Sequence, residues 1–524
     1  MKNSFFLVIP KQESNPLRLK EFEEKPLQNW INELPTANPS LSTRLIHDFF
    51  AELRGIEMPA QLRLSALELV RPSMLVIEDY LRSRLVTSGF PKEETDKKIF
   101  NVLVTIERFS TISYWIALKE LTERDASGWF QGKNIALAIQ RCIKGLSSVI
   151  ITHYIMGQNV PDWVWIDLHS LYRLSVKSKK DTTKVANDAG QLNKASSPEE
   201  CYLQILLLSL ADPAGLMQKE IFMVFRFIET LVELASFKTE PVIHHQRQVI
   251  IQTDEDLPPF FDSQADKADN TRLYLDLVKI YKLLANKQKL GNTSDGRFTA
   301  VNMTQNNTTK PSLELLDYLE QRWTGLDNQV AALFADRLDR FVAIGLDATY
   351  ELLTSHSTLV AKDSEILMHS ASDRYLSHTF EKTGVISVGS LVSVRKSDMP
   401  EHRRALGIVI RVSVEKQSEK IIFGLQLMAR QIFPVTYTLT AGGNSQKGVF
   451  YGVKDSEGEK GMLLTDSFVL KNDDTIWLTL KNEDLMIILG NRRNIGLGYW
   501  QFECRRLAEH VKAPVQPKKG YDFI

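Results

Sequence analysis

The chain has 524 residues, and 64 Lys plus Arg are balanced by 64 Asp plus Glu, so its formal net charge at pH 7 is zero. That length exceeds one ordinary core and predicts several domains, while the charge balance excludes a global field drawing the molecule to DNA or an acidic membrane. Any anion site must therefore be local.

In chain order, the opening MKNSFFLVIPKQ has an apolar run broken at Pro10, too short for a signal-peptide core. From Leu41 to about Leu121 amphipathic helices follow one another: Leu41, Leu45, Ile46, Phe49 and Leu53 recur at helical spacing. The leucines at 62, 64, 67 and 69 extend the pattern until Arg71-Pro72, which is expected to stop the run. A second helical block covers about Asn134 to Phe237, interrupted by KSKKDTTKVANDAGQLNKASSPEE, whose polar composition predicts an exposed connector. The apolar CYLQILLLSLADPAGL stops at Asp212-Pro213 and reads as a buried helix, and no segment reaches the roughly eighteen uncharged apolar residues of a membrane span.

After Phe237, RQVIIQTD alternates as a strand, DEDLPPFF reads as a solvated turn, and TRLYLDLVKIYKLLANKQ returns to helix. The Gly/Asn/Thr-rich stretch from Leu290 to Ser312 reads as a linker. SLELLDYLEQRW and the Arg-dense ADRLDR, Ala335 to Arg340, are read as helical. Beyond them period-two runs take over, from FVAIGL to YWQFECR, with Gly, Asn and Asp turns between, and predict a closed or sandwiched antiparallel barrel. The fold class expected is α+β and multidomain. Its divisions are a helical array over 1–125, a second helical block with a short strand segment over 126–285, a linker over 286–312 and a barrel domain over 313–524.

Residues able to carry catalysis are sparse. His169 in WIDLHSLYRL shares a helix face with Trp165 and Tyr172 and reads as a core histidine, and the adjacent His244 and His245 would point to opposite faces of a strand, which disfavours a metal. Cys142, Cys201 and Cys504 lack metal-ligand spacing and predict ordinary thiols in a reducing, cytoplasmic compartment. No Walker loop, nucleophile elbow or CxxC pair is present, and GNRRNIGLG, Gly490 to Gly498, lies between strands and reads as a basic hairpin turn. A non-enzyme without a metal is expected.

The segment VGSLVSVRKSDMPEHRRALGIVIRVSVEKQSEKIIFGLQLMARQIFPV resembles the second half of a PilZ domain, the bacterial cyclic di-GMP receptor module. The longer blocks RLSALELVRPSMLVIEDYL, AIQRCIKGLSSVIITHYI, PDWVWIDLHSLYRL and YLQILLLSLADPAGLMQKEI resemble the helical N-terminal part of FimW-type proteobacterial proteins, so the resemblance runs from about Leu41 to Phe433. It implies a PilZ-like barrel. It also implies cyclic di-GMP held by an Arg-x-x-x-Arg arm ahead of the barrel and an (Asp/Asn)-x-Ser-x-x-Gly turn on its first strands. Arginine suits that task because its planar fork pairs with phosphate or a guanine edge.

Carried onto this sequence, the arm falls on Arg337 and Arg340, three apart instead of four, and the turn falls on MHSASD. There Ser370 matches the serine, Met368 stands in place of the acid or amide, and Asp373 stands in place of the glycine. The ligand residues so implied are Arg337, Arg340, Ser370, Asp373 and Arg374, with Arg395 and Arg404 adding charge and Arg403 and Arg411 nearby. The resemblance further implies a cytoplasmic, non-enzymatic effector, recruited to the cell pole, with a protein partner in the type IV pilus machinery or surface attachment. The departures at Met368 and Asp373 also admit an interaction scaffold whose barrel has lost the nucleotide.

Overall fold

The computed structural model describes residues 5–123, 129–188, 193–243, 247–262, 271–291, 297, 311–325, 338–354, 364–439, 443–456 and 458–507. The helical region is built on Pro39–Leu53, Ala60–Leu85, Glu94–Glu123, Trp129–Ile155, Val164–Lys177, Pro198–Leu210 and Gln218–Glu229, which share one hydrophobic core. Their starts are legible in the chemistry. The Asn38 side chain accepts from the Leu41 N–H at 3.2 Å ahead of Pro39, and Ser197 forms a capping box with Glu200 ahead of Pro198.

Pro72 does not end its helix as expected: Ala60–Leu85 runs through it. Leu64, Leu67, Val70, Met74, Ile77 and Leu81 are buried on both sides of the proline, and this packing outweighs the roughly 3 kcal/mol a helix-interior proline costs. The segment Gly132–Ile155 is long and apolar enough to cross a membrane, but 72% of its 18-residue apolar window is buried inside the protein. The polar connector after Lys177 is also tied down. Val185–Ala186 pairs with Ala195–Ser196, Asp188 accepts from the Arg71 Nε at 2.9 Å, and Ser196 and Ser197 are buried.

A small sheet follows, made of β1 (Ser236–Lys238), β2 (Gln248–Gln252), β3 (Phe260–Asp262) and β4 (Arg272–Asp276) in the order β1-β4-β2-β3. TRLYLDLVKIYKLLANKQ is thus a strand first, with a short helix, Val278–Leu284, only after it. The helix Leu313–Trp323, grouped with the barrel from sequence, packs into the helical core. Leu315, Leu316, Leu319 and Trp323 are buried there, and the Trp323 Nε1 donates to the Leu207 carbonyl at 2.9 Å.

The helical region is followed by antiparallel barrel structure, as the period-two pattern predicts. The strands close into two six-stranded barrels where one was expected. The first orders β8 (Leu391–Lys396), β9 (Ala405–Val414), β10 (Ile421–Ala429), β7 (Tyr375–His378), β6 (Ile366–Ser370) and β5 (Arg340–Ile344), with β5 closing on β8. The second orders β11 (Phe433–Thr438), β12 (Gln446–Asp455), β13 (Gly458–Thr465), β16 (Tyr499–Arg506), β15 (Glu483–Gly496) and β14 (Thr475–Leu480), with β14 closing on β11. The hairpin expected over Gly490–Gly498 turns later. β15 continues to Gly496, and the reversal falls at Leu497-Gly498, where Gly498 has φ +83°.

Helix Leu346–Thr354 lies between the barrels, with Leu346 and Leu353 in one cluster with Leu391, Val449 and Tyr451. The first barrel is joined to the helical region as well. Phe90 exchanges backbone hydrogen bonds with Ile386 at 2.7 and 2.9 Å, and its ring is buried in the barrel's core cluster beside Val388 and Val412.

Candidate functional site

The candidate residues divide between two places on the first barrel. Interior positions of β5, β6, β7 and β8 are marked by Val342, Met368, Leu376 and Val394, all in the barrel core. Side chains alternate along a strand, so Arg340, Ser370 and Lys396, each two residues from one of these, lie on the inward register. Arg374 stands two residues before Leu376. The pairings Arg340↔Met368 and Arg340↔Lys396 place them all at one rim.

At that rim Arg340 is buried and begins a strand, not the end of a helix, with its Nη1 donating to the Leu338 carbonyl at 2.9 Å. The Ser370 hydroxyl donates to the same carbonyl at 2.7 Å, and His369 contacts Asp339 at 2.9 Å, so the chain entering the barrel is laced to the end of β6. The turn carrying Asp373 and Arg374 is closed by the Ser372 hydroxyl, which accepts from the Arg374 and Tyr375 N–H groups at 3.1 and 3.2 Å. Arg337, like His244 and His245, lies outside the described residues.

Arg395 and Arg404 are placed differently. Arg395 pairs across β5 with Phe341 on the outer register, its guanidinium 4.2 Å from that ring centroid. Both arginines converge on Glu365, the Arg404 Nη1 at 2.6 Å, while the Arg404 Nε donates to the Ser393 hydroxyl at 2.9 Å. The Glu365 and Arg404 side chains are only 2% and 0% exposed. Burial alone would raise the Glu365 carboxyl, but hydrogen bonds from the two arginines hold it below the ordinary range. The rim thus gathers Arg340, Ser370, Asp373 and Arg374, whereas Arg395 and Arg404 neutralise a buried carboxylate on the barrel wall. Lys396 was missed from sequence, although strand alternation allows only one of Arg395 and Lys396 to face the barrel's mouth.

Between the helical region and this barrel lies a cleft of about 360 Å³ with Tyr154, Trp165, Asp212 and Arg411 in its walls. The Arg411 guanidinium pairs across it with Asp212, and the Val414 N–H donates to the Gly157 carbonyl at 2.8 Å. Lys97 of the helical region meets Glu419 of the barrel at 2.7 Å. His169 is a core residue as expected: it meets the Tyr202 hydroxyl at 2.6 Å and the Leu257 carbonyl at 2.9 Å, and burial pushes its imidazole down to about 4. Among the described residues no cluster of His, Cys, Asp and Glu is arranged to hold a metal.

Residues 25–242, the helices that carry this cleft's inner wall, match the family described as cyclic-di-GMP receptor FimW, N-terminal domain. The helical region is thus similar to the N-terminal domain of FimW. A curated relative, the cyclic-di-GMP receptor FimW of Pseudomonas aeruginosa, is 24% identical over 233 residues, which span 44% of this chain and 38% of the relative. No solved structure matches. The FimW match covers the helical region, and the barrel rim lies beyond its end at residue 242.

Proposed function

We propose that this protein is a non-enzymatic cyclic di-GMP receptor that takes the nucleotide at the rim of its first barrel. The observation that carries the reading is the convergence of Arg340, Ser370, Arg374 and Lys396 on one rim of a barrel attached to a FimW-type domain. The nucleotide's phosphates would meet Arg374 and Arg340, with Ser370 and the turn through Asp373 closing over it. Occupying the rim would exchange the Arg340 and Ser370 bonds to Leu338 for bonds to ligand, which shifts the entering segment between two arrangements. The helical region then presents the change to a protein partner, for which the pilus machinery is our candidate, in the cytoplasm or at the cell pole.

One feature favours a scaffold without nucleotide: Arg340 already has carbonyl partners at Leu338 and Asp339. Calorimetric titration of the full chain with cyclic di-GMP separates the two. The receptor reading expects saturable binding that Arg374→Ala weakens about tenfold or more, the loss of one charged pair. Absence of binding by the wild-type chain leaves the scaffold.

A further inference from the structure

The helical region contains a second cavity, lined by no residue of either barrel. The N-terminal segment, hung from the Asp167 carboxylate by the Phe6 and Leu7 N–H groups at 2.9 Å each, forms one wall of a cavity of about 220 Å³. Val8, Ile112 and Trp163 also line it, together with two arginines, Arg54 and Arg108.

The arginines are unusual in their surroundings. The Arg54 guanidinium lies 3.6 Å from the centroid of the Phe109 ring, and that of Arg108 lies 5.5 Å from Trp163. Among the described residues neither has a carboxylate in ion-pair range. Burial lowers the Arg54 pKa, and the neighbouring Arg108 charge lowers it further. Two cations near each other on aromatic faces, Arg54 half-buried and Arg108 exposed at the cavity's mouth, are complementary to a doubly charged oxyanion.

Trp163 supplies an independent sign. It has φ +85°, a left-handed conformation that a bulky residue adopts at a cost of about 1–3 kcal/mol. The strain is sustained by Asp256, which accepts from the Trp163 N–H and, at 3.0 Å, from the Ile166 N–H. DEDLPP is the largely exposed turn expected from sequence, and within it Asp256 clamps the start of helix Val164–Lys177. The ring held there by the strained backbone packs on one side against the helical core and faces the Arg108 guanidinium and the cavity on the other.

We infer that Arg54, Arg108 and Trp163 form a binding site for a small aromatic monophosphate, the arginines pairing with the phosphate and the apolar wall taking the ring. The cavity's size suits a mononucleotide or an aryl phosphate and excludes a cyclic dinucleotide lying wholly inside it. The site is independent of the barrel rim.

The test is calorimetry on the full chain with guanosine monophosphate, phenyl phosphate and inorganic phosphate in turn. The wild-type chain should bind both organic phosphates more tightly than inorganic phosphate. Arg54→Gln combined with Arg108→Gln should weaken them about tenfold or more, while the rim variant Arg374→Ala leaves them unchanged. Trp163→Gly relieves the left-handed strain but removes the ring's packing against the core, so its expected signature is weaker binding of the two organic phosphates with inorganic phosphate binding unchanged, which loss of packing alone would not produce. The inference is overturned if the wild-type chain binds neither organic phosphate, or if the double variant binds them as the wild type does. Cyclic di-GMP titrated into the same variants reports separately on the rim.

Discussion

Removing the Phe90 side chain tests whether the helical region and the first barrel act as one body. Phe90 is 5% exposed and sits in the barrel's core cluster with Ile386, Val388 and Val412, although it belongs in sequence to the loop between two helices. Its backbone bonds to Ile386 do not need the ring, so Phe90→Ala deletes packing and leaves the bridge in place. Gly157, at φ +66°, faces the ring so closely that a Cβ there would lie 3.0 Å from it, which leaves little slack for the cavity to collapse. A buried Phe→Ala change of this kind costs about 3–5 kcal/mol. Hydrogen exchange on the full chain followed by mass spectrometry should show peptides covering 385–394 and 405–414 losing protection together with those around residues 86–92 and 153–160. The reasoning is refuted if the barrel peptides keep wild-type protection while only the loop around residue 90 loosens.

Two further predictions concern buried charge. Glu365→Ala strands Arg395 and Arg404, and breaking a buried pair of this kind costs about 3–5 kcal/mol, to be read from the urea midpoint of the full chain. Because the Glu365 pKa is depressed in the fold, its contribution is fully present above the unfolded carboxylate value of about 4.3 and is lost as pH falls through the folded value. Glu107 behaves oppositely. Burial pushes it up to about 8 against the pull of Arg82 at 3.0 Å, with the Glu78 charge adding to the rise and the Thr152 hydroxyl donating to it. The fold therefore favours its protonated form, and stability should fall as pH rises from about 4.3 toward 8. Glu107→Gln should flatten that fall between pH 5.5 and 8.5, and equal losses in wild type and variant would show that Glu107 is ionised throughout.

The helical region was legible because its apolar positions repeat at 3.6 residues, and Ile46, Phe49 and Leu53 are indeed buried along one helix. Pro72 misled because local propensity cannot register the packing on either side of it. The barrel strands were legible by alternation, but their division was not. Closure depends on pairings such as β5 with β8 and β11 with β14, which join strands distant in sequence and leave no periodic trace. Parity also explains the candidate site. Arg340 and Lys396 share the inward register, whereas Arg395 faces outward to a glutamate that nothing in the sequence links to it. The Arg54, Arg108 and Trp163 cluster had no local motif at all, because three separate segments bring it together.

The central claim, nucleotide at the first barrel's rim, is tested most directly by hydrogen exchange of the full chain with and without saturating cyclic di-GMP. The account predicts protection gained in peptides covering 338–342 and 368–376, with the opposite end of the barrel, around Ile386, changing less. Protection confined to the helical region, or none anywhere at saturating ligand, would contradict it.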